Sequence, residues 1–406
     1  MAAGGAEELV LQRDGDRGQA VVAFRLADVG YLNSDAGARD LAEVSSLPFS
    51  DASLVADIAS ARKRFGDRAA VLVETTLLRR RAAAKFDDPS RWLFTDEALQ
   101  QATAEKVAVH RAQRLAGMTV HDATCSIGTE LAALRGSAAY VVGSDIDAVR
   151  LAMAAHNVPG VDLCRADALR PVTRDAVVIV DPARRSGGRR RLRPADYTPP
   201  LDALLDVYRD RDLVVKCAPG IDFDALTGLG LRGEVEVTSL AGSVREACLW
   251  SAGLAGATRR ATILDTGETI TDADPDDCPV AAVGRWIVDP DGAVVRAGLV
   301  RHYAARYGLW QLDPDIAYLS GDRLPDNVRG FEVLEELTYS ERRLRQALSA
   351  RDVGAVEILV RGVDVDPDTL RARLRLRGSH PVSVVIARLG SGAASRATAF
   401  ICRTSR

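Results

Sequence analysis

The chain has 406 residues, 47% of them hydrophobic and 27% charged, with a formal net charge of −3. At about 150 residues per folding unit that length suggests two or three domains, and the near-average composition excludes an intrinsically disordered chain and a coiled coil. No apolar run approaches the roughly 20 residues of a membrane span, and the slight acidity excludes a general polyanion-binding surface, so any nucleic-acid contact has to come from a local basic patch.

The N-terminal MAAGGAEELVLQRDGD has neither a basic n-region nor a continuous apolar h-region, so no secretory signal is read and a cytoplasmic location is expected. Residues 40–116 have the spacing of helices: Leu41, Val44, Leu54, Val55, Ile58 and Ala59 recur near helical periodicity. A second run follows Thr95 as N-cap and stops at Gly117. Residues 1–117 are therefore expected to form an N-terminal helical region.

From Met118 the pattern changes to short apolar strands at 119–123, 140–145, 161–165, 176–181 and 212–217, with helices at 128–135, 148–157 and 200–209 between them. Alternating strands and helices predict an α/β fold, a doubly wound, Rossmann-like parallel sheet over 118–256. Two further strands, 234–240 and 246–254, lack a helix between them and read as an edge hairpin. The acidic, turn-rich TDADPDDCPV (271–280) reads as a loop within a connecting segment, 257–308, that ends in a helix over 297–307. The last part, 309–406, reads as an α+β module in the order β-α-β-α-β-β, compatible with a split βαβ sandwich. Its strands are expected at 331–337, 356–361, 382–388 and 397–402, and its helices at 340–350 and 367–377.

The six cysteines, Cys125, Cys164, Cys217, Cys248, Cys278 and Cys402, form no C-x-x-C pair and read as reduced, mostly buried thiols. The histidines His110, His121, His156, His302 and His380 show no metal-ligand spacing, so no metal is expected.

The chemistry concentrates at the strand ends. In VHDATCSIGTELAAL (120–134) a strand ends in Asp122 and turns through Ala123, Ser126 and Gly128 into a helix, so that backbone N–H groups can approach a ligand at the helix N-terminus. The second strand ends at Asp145, where an acidic side chain can accept from ribose hydroxyls. The third is followed by Asp167, placed to accept from an exocyclic amino group, and the fourth runs into Asp181-Pro182-Ala183-Arg184. One Asp at a strand end is more often a turn former or a helix cap; four in register point to a ligand. Six arginines follow within residues 184–193, around Gly187-Gly188. Such a run alone reads as a solvated loop, but beside a site it suits phosphate contacts.

The turn Asp122-Ala-Thr-Cys-Ser126-Ile-Gly128 resembles the D-x-x-x-G-x-G turn of class I S-adenosylmethionine-dependent methyltransferases, with Ser126 in place of the first glycine of the pair. The resemblance implies that S-adenosylmethionine is the cofactor, that Asp122, Ala123, Ser126 and Gly128 cradle its methionine part, that Asp145 holds the ribose and that Asp167 sits by the adenine. DPAR resembles the D-P-P-[YFWR] motif of methyltransferases acting on nucleic-acid bases, with Ala183 in place of the second proline. It implies that Asp181 orients, or accepts a proton from, a target nitrogen, that Pro182 keeps the preceding backbone extended, and that Arg184 joins the reaction centre while Arg185, Arg189, Arg190 and Arg191 hold substrate phosphate.

The segments LFTDEALQQATAEKVAVHRA (93–112), DPARRSGGRRRLRPADYTPPL (181–201), VVKCAPGI (214–221), VRAGLVRHYAARYGLWQLDPDIAYLSGD (295–322) and LRARLRLRG (370–378) are similar to those of bacterial methyltransferases with a C-terminal THUMP-like domain. That resemblance implies an RNA substrate, tRNA or rRNA. Gln101 and Thr103 could close over the methionine end of the cofactor, although a plain amphipathic helix is the simpler account, and Lys216 ends the fifth strand near the site, where it could merely solvate the sheet end. A methyltransferase acting on a protein or small molecule, and a non-catalytic RNA-binding factor that keeps the fold, stand as alternatives.

Overall fold

The computed structural model describes residues 22–184, 197–221, 223, 232–326 and 328–405. The chain forms two compact units. The first comprises residues 1–232 together with 248–254, and the second 233–247 together with 255–406.

In the first unit, six helices, Leu26–Leu32, Asp35–Ser45, Leu54–Phe65, Ala69–Ala82, Asp96–Gln101 and Glu105–Arg114 (α1–α6), precede the first strand. The long helical pattern expected from residue 40 breaks after Ser45 because Pro48 has no N–H to continue the ladder, and α3 starts afresh at Leu54. Ser34 and Thr95 cap α2 and α5 by accepting from the N–H groups of Gly37 and Ala98, each at 3.1 Å. α4 is the core of the layer: Val71, Leu72, Val73 and Leu78 are buried. The hydroxyls of Thr75 and Thr76 are satisfied by the carbonyls of Val71 and Leu72 one turn back.

The parallel sheet follows in the order β3–β2–β1–β4–β7, built from Thr119–Asp122 (β1), Tyr140–Asp145 (β2), Asp162–Arg165 (β3), Val177–Val180 (β4) and Leu213–Cys217 (β7). Its helices are Thr129–Leu134 (α7), Ala148–Asn157 (α8) and Leu201–Val207 (α9), which places every expected strand and helix of this region within two residues of its predicted bounds at most sites. β4, Val-Val-Ile-Val, is buried throughout, as an interior strand covered on both faces must be. A short antiparallel pair, Ala183–Arg184 (β5) and Tyr197–Thr198 (β6), follows β4. Residues 248–251 also belong to this unit, where Ser251 Oγ donates to Asp212 Oδ1 at 2.8 Å and accepts from the Leu213 N–H at 3.1 Å.

The helical layer packs against α8 and the turn after β1. Phe86, Phe94, Leu72 and Val44 cluster with Ile127, from the turn after β1, and Met153 of α8. Asn157 joins them by hydrogen bonds. Its Oδ1 accepts from the Leu93 N–H at 2.8 Å, and its Nδ2 donates to the carbonyls of Leu93 and Ile127 at 3.0 and 2.9 Å.

The second unit begins with Gly233–Leu240 (β8) and the first residues of Ser243–Ser251 (β9), joined by Ala241 and Gly242 with φ of 54° and 66°. Two left-handed residues make the tight turn whose twist matches a hairpin, as the sequence indicated, but the hairpin is not at the sheet edge, because further strands pair outside β8. The segment 257–308, read as a connection, instead holds three strands: Arg259–Ile263 (β10), parallel to β8, Glu268–Thr271 (β11), antiparallel to β10, and Trp286–Val288 (β12). These strands are short, and their apolar residues sit beside Thr, Arg and Glu, which hides the alternation. Two helices, Gly292–Ala297 and Val300–Tyr307, follow.

A seven-stranded sheet completes this unit, in the order β13–β14–β12–β15–β18–β17–β16. Its members include Trp310–Asp313 (β13) and Ile316–Gly321 (β14), two strands the sequence reading left out, with Gly330–Thr338 (β15), Val353–Arg361 (β16), His380–Leu389 (β17) and Arg396–Thr404 (β18). β15 and β16 run parallel with β18 and β17 between them, which is a split βαβ crossover through the Glu341–Ala350 helix. The Pro367–Leu374 helix connects β16 to its direct parallel neighbour β17. Asp366 caps that helix and Pro367 opens it as expected, but it ends at Leu374 rather than 377 because Arg375 turns left-handed, with φ of 50°.

Asn157→Ala removes three hydrogen bonds at the junction of the helical layer and the sheet and is expected to cost about 2 kcal/mol. Urea unfolding followed by circular dichroism measures this, and an unchanged midpoint would show that the layer docks through its apolar contacts alone.

Candidate active site

The carboxyl ends of the parallel strands open onto a cleft of about 440 Å³, where ligands bind in doubly wound sheets. Of the residues singled out in the sequence, Asp122, Ala123, Ser126, Asp145, Asp167 and Asp181 line it together, as do Gln101, Thr103 and Lys216. Gly128 and Pro182 lie behind the lining. The side chain of Arg184 and all of Arg185, Arg189, Arg190 and Arg191 lie outside the described residues.

The turn after β1 is held by the tip of β2. Ser126 adopts φ of 47° and donates its N–H to Asp145 Oδ2 at 2.8 Å, while Asp145 Oδ1 accepts from the Asp147 N–H at 2.8 Å. A carboxylate has about four acceptor positions, so Asp145 braces the turn with two and keeps capacity for a ligand. Gly128, with φ of 91°, caps α7, and a Cβ built there would lie 3.0 Å from Val158. Serine therefore serves where the family pattern has its first glycine, while the second position needs glycine for both conformation and space. Asp167 accepts from the Leu169 N–H at 2.9 Å, which leaves its carboxylate turned along the cleft wall. On the opposite side, Lys85 Nζ donates to the carbonyls of Leu99, Gln100 and Ala102, all at 2.8 Å. It caps α5 and fixes the segment bearing Gln101 and Thr103.

A chain of paired charge runs from the interior to the cleft. Arg111 of α6 pairs with Glu130 of α7 at 2.5 Å, Lys216 at the end of β7 lies 3.3 Å from the other oxygen of Glu130, and its ammonium reaches Asp181 at 2.6 Å. Arg111, Glu130 and Lys216 are all buried, while the Asp181 carboxylate is 39% exposed. Thr124 Oγ1 accepts from the Asp181 N–H at 2.7 Å, so both the backbone and the side chain of Asp181 are fixed. Lys216 thus holds the acid of DPAR in place.

These four charges balance, and Asp122 stands beside them. Burial, and then the neighbouring Glu130, push the Asp122 carboxyl up to about 8, against the opposing pull of Lys216. Glu130 behaves in the opposite way. Burial would raise it, but Arg111 and Lys216 outweigh that and hold it at about 2. His121, also on β1, lies between Ser144 at 2.9 Å and Thr173 at 3.1 Å, and burial, reinforced by Arg211, lowers it to about 4. It is a neutral structural histidine.

Three contributors escaped the sequence reading. Glu130 stands in the first turn of a helix, where an acid reads as a partner of the helix dipole. Arg111 reads as one more charge on an amphipathic helix, and Thr124 as a turn residue. Only the packing of α6 and α7 at the sheet end unites them.

Because the Asp122 carboxyl is raised in the folded state from its ordinary value of 3.8, its contribution to stability is full below about pH 4 and is lost as the pH rises through 8. Asp122→Asn, in ligand-free protein, is therefore expected to gain on the wild type by about 2–5 °C in melting temperature between pH 5 and pH 8.5. A difference that stays constant across that range would show that Asp122 ionises normally.

Comparison with known proteins bears on this geometry. Residues 328–404 match the THUMP domain-like family. Two S-adenosylmethionine-dependent methyltransferases of Mycobacterium tuberculosis, from strains CDC 1551 and H37Rv, are each 69% identical over 357 residues, covering 85% of this chain and 100% of theirs. The crystal structure of a protein assigned as a methyltransferase from Porphyromonas gingivalis W83 superposes with a TM-score of 0.68 at 18% identity, over 89% of this chain and 100% of that one, a likeness of fold. At 69% identity to its mycobacterial relatives, and with a turn braced by an acid at the end of the second strand, the chain belongs to the S-adenosylmethionine-dependent methyltransferases, carries a C-terminal THUMP-like domain, and uses S-adenosylmethionine as its cofactor.

Proposed function

We propose that the chain methylates a base in RNA, tRNA or rRNA, with Asp181 at the acceptor. What supports this most is the Asp181–Lys216 pair at 2.6 Å, which presents the DPAR carboxylate, half in solvent, at the mouth of the cofactor cleft. The THUMP-like match and the arginines of residues 184–193 add the expectation of an RNA partner.

The residues present fit the cofactor. Asp145 has acceptor capacity left for the two ribose hydroxyls after bracing Ser126. Ile146, 64% exposed beside it, and the buried Ala168 offer apolar surface for a base, with the Asp167 carboxylate nearby for an amino group. The Asp122–Gly128 turn, Gln101 and Thr103 close the end meant for the methionine part. When bound, S-adenosylmethionine supplies a methyl group made electrophilic by its sulfonium.

Methyl transfer by displacement needs alignment more than covalent help from the protein. Asp181 receives a hydrogen bond or a proton from the target nitrogen, and its place is held by Lys216 on the side chain and Thr124 on the backbone. Pro182 keeps the preceding backbone extended. Arg184, Arg185, Arg189, Arg190 and Arg191 supply phosphate contacts from a segment whose flanking strands, β5 and β6, begin and end beside the cleft, where Thr198 is part of the lining.

Two measurements test this. Calorimetric titration with S-adenosylmethionine is expected to show micromolar binding that falls at least about tenfold in Asp145→Ala, the loss of roughly one charged hydrogen bond. Wild-type protein that is folded and binds no cofactor would overturn the site. Asp181→Asn is expected to keep that affinity within about threefold while methyl incorporation from radiolabelled S-adenosylmethionine into total RNA falls by about 100-fold or more. Incorporation into protein or small metabolites instead of RNA would move the acceptor to those classes, and function that survives Asp181→Asn in the cell would favour a non-catalytic factor.

A further inference from the structure

The repeat Arg373-Leu374-Arg375-Leu376-Arg377-Gly378 is not used by the cofactor site, and its structure is that of a platform. The Pro367–Leu374 helix ends in the left-handed Arg375. Leu374 is buried and Leu376 packs partly buried against the same core, with Leu344, Leu348 and Leu370. Arg373, Arg375 and Arg377 are all exposed.

The segment is pinned rather than loose. The Gly378 N–H donates to the Val353 carbonyl at 3.1 Å, and the Ser379 and His380 N–H groups donate to the Asp352 carbonyl at 2.9 and 3.0 Å. A Cβ on Gly354 would lie 1.8 Å from the Gly378 oxygen, so this close approach admits only glycine.

Together with Arg345 of the Glu341–Ala350 helix, these arginines line a groove of about 530 Å³. Its acidic lining is Glu341, which pairs with Arg345 at 2.6 Å and reaches Arg373 at 3.9 Å, and Asp352, which receives the Ser379 hydroxyl at 2.6 Å. Arg375 and Arg377 make no ion pair or hydrogen bond with any described residue. Four arginines against two carboxylates leave the groove positive on a chain whose net charge is −3, which is a local basic patch of the kind that holds a polyanion.

We infer that this groove in the C-terminal unit is a docking site for the phosphate backbone of the RNA substrate, with Arg375 and Arg377 as the principal phosphate contacts and Arg345 and Arg373 held in reserve by Glu341. The inference rests on the RNA reading above. A pinned backbone and guanidinium groups without an ion-pair partner among the described residues suit a contact that anchors the RNA without reading its sequence.

The test is binding of fluorescein-labelled unfractionated tRNA and total rRNA to the full chain, by fluorescence anisotropy over a range of salt. Arg375→Asn/Arg377→Gln removes both charges and gives the left-handed position a residue that tolerates it. Loss of two phosphate contacts is expected to weaken binding roughly tenfold at about 150 mM salt and to flatten the logarithmic salt dependence by about 1.4. Arg342→Gln/Arg343→Gln, on the same helix as Arg345 but outside the groove, is expected to stay within about twofold of wild type, and cofactor affinity by calorimetry to be unchanged in both.

Wild-type binding that survives Arg375→Asn/Arg377→Gln overturns the groove and leaves the RNA reading standing. Equal loss in the Arg342/Arg343 control overturns it too, by showing only diffuse charge. Competition by heparin as effective as that by tRNA reassigns the groove to polyanions at large and overturns the RNA assignment. No binding of either RNA by the wild type overturns the inference and the RNA reading together.

Discussion

The organising constraint of the first unit is the row of charges Arg111–Glu130–Lys216–Asp181, the first three buried and the last part-exposed at the cleft. Desolvating each ion costs on the order of several kcal/mol, so the row is tolerable only because every charge meets an opposite one at 2.5–3.3 Å. That requirement ties α6, α7 and the ends of β4 and β7 to one another more tightly than apolar packing would, since displacing any member strands a charge in the interior. Asp122, next to a row already balanced, draws too little from Lys216 and the Thr124 N–H to offset its burial and takes up a proton instead. The chemistry at the cleft inherits this stiffness, because the last link of the row is the acid that faces the acceptor.

Around that row, the cofactor cleft is assembled from groups that each serve twice. Asp145 supports the backbone of Ser126 and retains acceptor positions; Thr124 is part of the turn and holds the Asp181 N–H; Asn157 satisfies Leu93 of the helical layer and Ile127 of the turn. Lys85, through three carbonyls, sets the wall formed by α5. The N-terminal helices are thus part of the site rather than a separate cap, and a ligand that fills the cleft meets a preformed geometry with little ordering left to do.

The second unit applies a different economy. Its arginine-lined groove depends on a backbone contact, Gly354 against Gly378, and on the alternation that sends Leu374 and Leu376 inward. Charge there is displayed on a fixed frame, whereas in the cleft it is buried and paired. Both arrangements are suited to electrostatics, one to orienting an acceptor at short range and the other to holding a backbone whose charges repeat.

The parallel sheet was legible because interior strands must be continuous apolar runs and because their ends carried Asp122, Asp145, Asp167 and Asp181 in order. Local chemistry also announced the turn at Gly128, the cap at Thr95 and the start of the helix at Pro367. Strands β10 to β14 were not legible, since short runs that mix Arg, Thr and Glu with apolar residues satisfy no period and become strands only when neighbours supply their hydrogen bonds. The same reason separates the visible part of the site from the hidden part. Acids at strand ends follow from chain direction, but the meaning of Glu130, Arg111 and Lys216 lies in pairings between residues 19 and 86 positions apart. A charge states its sign in the sequence; its partner, and hence its energy, exists only once the chain has folded.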